Sequence, residues 1–213
     1  MAGRSVAPKR PRRSPRRQED RSAATRARVI AAATECVAEL GLHGATMAAI
    51  AERAGVSWGA IQHPFGEKEA LLDAVLESAT RSLRGHFEHA RDATAEPDER
   101  LRILMTRCRE VLAGPLYRAF FEIQLARGRA PGESGAAWTA YVARELSLAW
   151  RDLFGDLGLA PRKLEDAQRF LFAALGGIAA EAMLFPSLAS MDRNLEILEE
   201  TLLRLLELEP PAS

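Results

Sequence analysis

Residues 55–71 read GVSWGAIQHPFGEKEAL, a cluster of glycine, proline and aromatic residues in a chain otherwise dominated by alanine, leucine, arginine and glutamate. Gly55 permits a left-handed turn, and Ser57, two residues on, is a natural N-cap for the short segment WGAIQH. Within that segment Ile61 faces inward. Pro64 lacks an N–H and crowds the carbonyl four residues back, so the helix is expected to stop there, with Phe65 plugging the junction. Upstream, Thr46 offers a cap to MAAIAERA, whose Ile50, Ala51 and Ala54 form an apolar face that ends at Gly55. Before it, from about Ser22, Val29, Ile30, Ala33, Cys36, Val37 and Leu40 recur at helical spacing until Gly41 ends the run. Two short helices joined by a glycine turn, with Val56 in the angle and a longer helix in support, make a helix-turn-helix.

Outward from this unit the chain continues to read as helix. EKEALLDAVLESATRSLRGHFEHARD predicts a long fourth helix with Leu72, Val75, Leu76, Ala79 and Leu83 on one side. Pro97 opens a fifth, carrying Leu101, Leu104, Met105, Cys108, Val111 and Leu112, and AGP at 113–115 breaks it. Further helices are expected over 115–127, 134–154, 162–185 and 192–208. The fold class is all-α: an N-terminal three-helix helix-turn-helix DNA-binding domain, then a larger antiparallel helical bundle, about nine helices in total. Three segments follow: a disordered basic arm at 1–21, the helix-turn-helix domain at 22–68, and a helical domain at 69–213, to which the resemblance given below assigns ligand binding and dimerisation.

The formal net charge of zero conceals a division, because residues 1–70 hold 12 Lys/Arg against 7 Asp/Glu and the remainder holds 17 against 22. The N-terminal part is the candidate for meeting a polyanion. Its arm, GRSVAPKRPRRSPRRQEDR, reads equally as a solubilising start or as a basic arm adding phosphate or minor-groove contacts. Cys36 and Cys108 fall on apolar helix faces and are expected as free thiols. No apolar run approaches the roughly 20 residues of a membrane span and no signal peptide is legible, so a cytoplasmic protein without a membrane partner is expected. No phosphate loop, nucleophile elbow or metal-ligand spacing appears, and His86 and His89 beside Glu88 lack further convergent ligands. An enzyme is not expected, and no catalytic residue, metal or cofactor is assigned.

On the second helix of the motif Ile61 and Phe65 supply the inward side, which leaves Trp58, Gly59, Gln62 and His63 pointing out. In duplex recognition that face enters the major groove. Gln62 can pair with adenine N6 and N7, Trp58 can press on a thymine methyl, and Gly59 allows close approach. Thr46 and Ser57 can donate to phosphates or serve only as caps. Lys68 opposes the dipole at the start of its helix, which points to a nearby phosphate.

The stretch TMAAIAERAGVSWGAIQHPFGEKEALLDAVL resembles the DNA-binding region of the TetR family of bacterial transcription regulators over about residues 25–77. The resemblance implies phosphate contacts from Thr46, Ser57, Gln62, His63 and Lys68, and base contacts from Ala48, Trp58, Gly59 and Gln62. Three positions depart from the family pattern: Gln62 replaces a tyrosine, Pro64 replaces a histidine, and Glu67 replaces a Ser, Asp or Asn cap. Ala48 also offers only a methyl where some relatives carry a long polar side chain.

The resemblance further implies a repressor released from a pseudo-palindromic operator by a small-molecule effector of unknown identity. It implies a homodimer through the last two helices, with Leu164, Leu171, Ala174, Leu175 and Ile178 on one and Leu195, Leu198, Leu202 and Leu205 on the other; the alternative is that these residues complete the monomer's own core. Candidates for lining an effector pocket are Met105, Cys108, Phe121, Gln124, Trp138, Tyr141 and Phe172. The alternative is an all-α small-molecule-binding or interaction module in which the helix-turn-helix is architectural only.

Overall fold

The computed structural model describes residues 15–129, 133–185 and 190–208; residues 1–14 of the expected basic arm, together with 130–132, 186–189 and 209–213, lie outside the described residues. Among the described residues the chain is all-α. Its helices are α1 Pro15–Gly44, α2 Met47–Ala54, α3 Trp58–Phe65, α4 Lys68–Ala93 and α5 Pro97–Leu112. They continue with α6 Pro115–Arg129, α7 Glu133–Phe154, a 3-10 turn Gly155–Leu157, α8 Pro161–Leu184 and α9 Met191–Leu205.

Two boundaries differ from those expected. α1 starts at Pro15 rather than Ser22, because proline suits a first helical turn and the RRQED that follows is made of residues that tolerate a helix well. α3 runs through Pro64 to Phe65. In the last turn the missing N–H forfeits a single helical bond, and the Gly66 N–H closes the end on the Gln62 carbonyl at 2.8 Å.

α1 is the element shared by the two parts of the molecule: it packs on α2 and α3, and also on α4 and α6. Gly41, at φ +70° and ψ 172°, breaks its regular course before the chain turns into α2. α4 carries the chain into the bundle and packs on α5, α6 and α7, while α9 closes against α5 and α8. Trp150 and Phe154 are fully buried with ring centroids 4.7 Å apart, and the Trp150 indole N–H donates to the Leu164 carbonyl at 3.0 Å, tying α7 to α8.

Two readings of the last helices are corrected. Leu195, Leu198 and Leu202 of α9, with Leu171, Leu175 and Ile178 of α8, are buried within the monomer, because α9 lays its leucine face against α5 and α8 of its own chain. The apolar and small residues that α8 leaves outside are Phe170, Ala173, Gly177 and Leu184, and α9 leaves Ile197 exposed. α8 also has an 18-residue window of mean hydropathy 1.2, long and apolar enough by length and composition to cross a membrane. Its alanines, glycines and leucines outweigh the few charges at its start, and its core residues serve helix packing in the bundle.

Arg100 is only 8% exposed in spite of its charge. Its guanidinium donates to the carbonyls of Thr94, Ala95 and Leu153 at 3.2, 2.9 and 2.9 Å and to the Asp156 carboxylate at 2.8 Å. One side chain thereby pins the α4–α5 linker to the end of α7. Arg100→Met leaves three carbonyls without that donor and is expected to lower unfolding free energy by roughly 2–4 kcal/mol, read as a lower urea midpoint at unchanged slope.

Candidate nucleic-acid interface

The turn between α2 and α3 follows directly from Gly55. Its φ of +61° and ψ of 40° place it in the left-handed region, where a Cβ is disfavoured. The Gly55 N–H donates to the Glu52 carbonyl at 3.0 Å and the Val56 N–H to the Ala51 carbonyl at 3.1 Å, the paired bonds of a Schellman cap. At the other end of α2 the Thr46 hydroxyl accepts from the Ala49 N–H at 3.2 Å. Ser57 has the extended backbone of an N-cap and is exposed, yet its hydroxyl makes no capping bond.

α3 is anchored by Ile61 at 0% and Phe65 at 7% exposure. That burial fixes its roll, and Trp58, Gly59, Gln62 and His63 all emerge on the solvent side. Trp58 is 50% exposed, a large apolar area to leave in water. A Cβ placed at Gly59 would meet no atom within 4 Å, so nothing in this chain's packing calls for glycine there. Ala48, like Thr46, is exposed at the beginning of α2.

The head is locked by contacts that local sequence does not announce. Arg53 of α2 reaches Glu39 of α1 at 2.5 Å and Glu35 at 3.7 Å, and the hydrogen bond from Arg53 holds the Glu39 carboxyl below its ordinary range. The Arg26 guanidinium lies 5.2 Å from the Phe65 ring centroid. Lys68 is half-buried and its Nζ donates to the Leu42 carbonyl at 2.6 Å, which accounts for a cation at the start of α4; its two other protons stay available. No spacing in the sequence signals any of these three, since each joins residues brought near only by tertiary folding.

In the bundle the expected pocket residues divide. Cys108 lies near Tyr117, and Tyr117 stacks on Phe121 at 6.5 Å and 17°. Burial pushes the Cys108 thiol up to about 12 and the Tyr117 phenol well above its usual value, so both stay protonated. Gln124 continues the same face of α6, and its Oε1 is buried without a hydrogen-bond partner among the described residues. Met105 is fully buried in the core. Trp138 and Tyr141 stand apart, in edge contact at 5.2 Å, with Tyr141 lining a charged cleft of about 330 Å³ beside Arg81, Arg84 and Glu145. Phe172 touches Phe87 at 6.5 Å and lines a cleft of about 560 Å³ with Ser147 and Gln168.

Two contacts of α6 reach the head. Arg127 pairs with the Asp73 carboxylate and donates to the Glu69 carbonyl at 3.2 Å, at the start of α4. Arg118 reaches the Ala38 carbonyl of α1 at 3.5 Å.

The different cap chemistry at the two helix starts has a measurable consequence. Thr46→Ala removes a bond to an end of α2 and is expected to destabilise the protein by about 1 kcal/mol, whereas Ser57→Ala leaves thermal stability within about 0.5 kcal/mol of the parent.

Residues 29–75 match the family model described as bacterial regulatory proteins, tetR family. The chain is 38% identical over 81 residues to the HTH-type transcriptional regulator BetI of Burkholderia lata, covering 38% of this chain and 42% of that protein. It therefore spans about two fifths of the length of that curated relative. A TetR-family transcriptional regulator from Streptomyces coelicolor superimposes with a TM-score of 0.71 at 21% identity, over 87% of this chain and 95% of its own. SmeT, the repressor of the Stenotrophomonas maltophilia multidrug efflux pump SmeDEF, does so with a TM-score of 0.65 at 24% identity, over 86% and 90%, and is also known as a complex with triclosan. At these identities the likeness to the two solved structures is one of fold.

Proposed function

We propose that this chain, whose residues 29–75 match the family model of tetR bacterial regulatory proteins, is a cytoplasmic, homodimeric, ligand-responsive transcriptional repressor that does no catalysis. In this reading the DNA-binding domain is 22–68 and the remainder, 69–213, binds the effector and the second subunit. The observation that carries it is the outward row Trp58, Gly59, Gln62 and His63, held on a short helix whose opposite side is buried through Ile61 and Phe65. That row enters the major groove, with Gln62 reading an adenine edge and Trp58 and Ala48 meeting apolar base surface. Ser57, whose hydroxyl caps nothing, and Thr46 bind phosphates where the first N–H groups of α3 and α2 are free; Lys68 and His63 add charge or donors beside them.

The second subunit docks on the α8 surface formed by Phe170, Ala173, Gly177 and Leu184, together with Ile197 of α9. Small residues at its centre let two helices approach closely, and its large apolar ends supply the burial. The effector occupies the interior beside Cys108, Phe121 and Gln124, where the unpartnered Gln124 oxygen favours a ligand with a hydrogen-bond donor. Through Arg127 and Arg118, a shift of α6 carries to α4 and α1 and changes the spacing of the two heads, so an effector that prefers the altered spacing lowers operator affinity.

Selection from a random duplex library near physiological salt should return an inverted repeat; enrichment of no sequence by the folded protein would remove the operator reading. Gln62→Ala should still bind that repeat but relax preference at one position per half-site, a loss of about 1–3 kcal/mol of discrimination. Gly177→Arg, which buries an unpaired charge at the proposed dimer face, should weaken self-association at least about tenfold by sedimentation equilibrium.

A further inference from the structure

A groove of about 530 Å³ lies away from both the recognition face and the bundle interior, where α1 crosses α4 and the start of α6. Its walls are small and apolar: Ala27, Ile30 and Ala31 from α1, Ala74 from α4, and Pro115 and Leu116 from α6. The volume falls within the ~300–1,000 Å³ range of small-molecule sites. Four charged side chains stand along it, Arg26, Glu35, Glu77 and Arg81. Glu77 is paired with Arg81 at 2.8 Å, and Glu35 faces Arg53 at 3.7 Å. Arg26 has no carboxylate within ion-pair distance among the described residues and rests instead against the Phe65 ring. The groove therefore sets a guanidinium that has no carboxylate partner among the described residues beside an apolar floor.

We propose that this groove binds an organic monocarboxylate with an apolar body, the body lying along the alanine walls and the carboxylate taking the Arg26 guanidinium. A charge-assisted bidentate bond is stronger than a solvent-exposed contact of a guanidinium with a ring, so the acid displaces Phe65 as the partner of Arg26. Phe65 is the last residue of α3, and the occupant is thereby felt at the recognition helix from a site separate from the interior one. A carboxylate is favoured over an ammonium because Glu77 is held by Arg81 and Glu35 lies within reach of Arg53, which it shares with Glu39, whereas Arg26 has no carboxylate partner among the described residues.

Titration calorimetry on the full chain, with naphthaleneacetate and its neutral amide as probes and no DNA present, tests the assignment independently of the operator reading. The acid should bind saturably at one site per chain, with the amide at least about tenfold weaker. Arg26→Gln should bring the acid to the level of the amide. Ala27→Trp, or Ala31→Phe if the first variant folds poorly, fills the groove from an exposed position and should abolish binding of both. Gln124→Leu, in the bundle interior, should leave the acid's affinity unchanged. Equal affinity for acid and amide, indifference to Arg26→Gln, persistence in the groove-filling variants, loss in Gln124→Leu, or no saturable heat at millimolar acid would each overturn the proposal.

Discussion

The head of this molecule is aimed by the packing of α1 against α6. α1 presents one side to α2 and α3 and another to α6, so the roll of the recognition helix is referred back to the body through a single continuous element. α4, the covalent link, is held to α6 by Arg127 through Asp73 and the Glu69 carbonyl. With both tethers ending on one helix, the head has few ways to move other than those α6 allows. A two-anchor arrangement of this kind turns a small displacement in the body into a rotation of the head, because interfaces packed at crystal-like density yield by discrete shifts and not by smooth deformation.

Much of the head was legible in the sequence because its determinants are local. Thr46 and Gly55 act within a turn of their own helix, as Pro97 does at the start of α5 in the bundle, and the same chemistry in a peptide would favour the same cap or start. The apolar period of α4 likewise shows which side is inward. Periodicity does not say what an apolar face meets, and α9 is the case in point: its leucines are expected from the sequence at an interface with a second subunit, and they meet the chain's own α5 and α8 instead. Arg100, Arg53, Arg26 and Lys68 were opaque for a different reason. Each is an ordinary charged residue until folding places a carbonyl, a carboxylate or a ring in front of it, and, apart from the Thr94 and Ala95 carbonyls close to Arg100, those partners lie from 14 to 56 residues away.

The recognition helix illustrates how a local rule can hold in energy and miss in position. Pro64 does remove a backbone donor, but so near the end of α3 that the loss falls on a bond that frays easily in any helix, and burial of Phe65 rewards two further helical residues. The outer row is correspondingly compact: it begins at the exposed Trp58 and ends at His63, just before the proline. The structure brings Cys108, Tyr117, Phe121 and Gln124 into one neighbourhood while separating Trp138 and Tyr141, a division that composition could not make, since all are apolar or amphipathic residues of the middle helices.

The bond from Arg118 to the carbonyl of Ala38 spans 80 positions of sequence. A nascent chain emerges from the ribosome amino end first, and α1, α2 and α3 are complete long before α6 has been made. During that interval the side of α1 destined for α6 has only water beside it, and Lys68 has only just appeared to hold the Leu42 carbonyl. Translation therefore delivers a head that is assembled in outline and unsupported from behind, and it gains its final orientation when the sixth helix docks. Chains cut short before that helix carry every residue of the recognition surface without the scaffold that aims it.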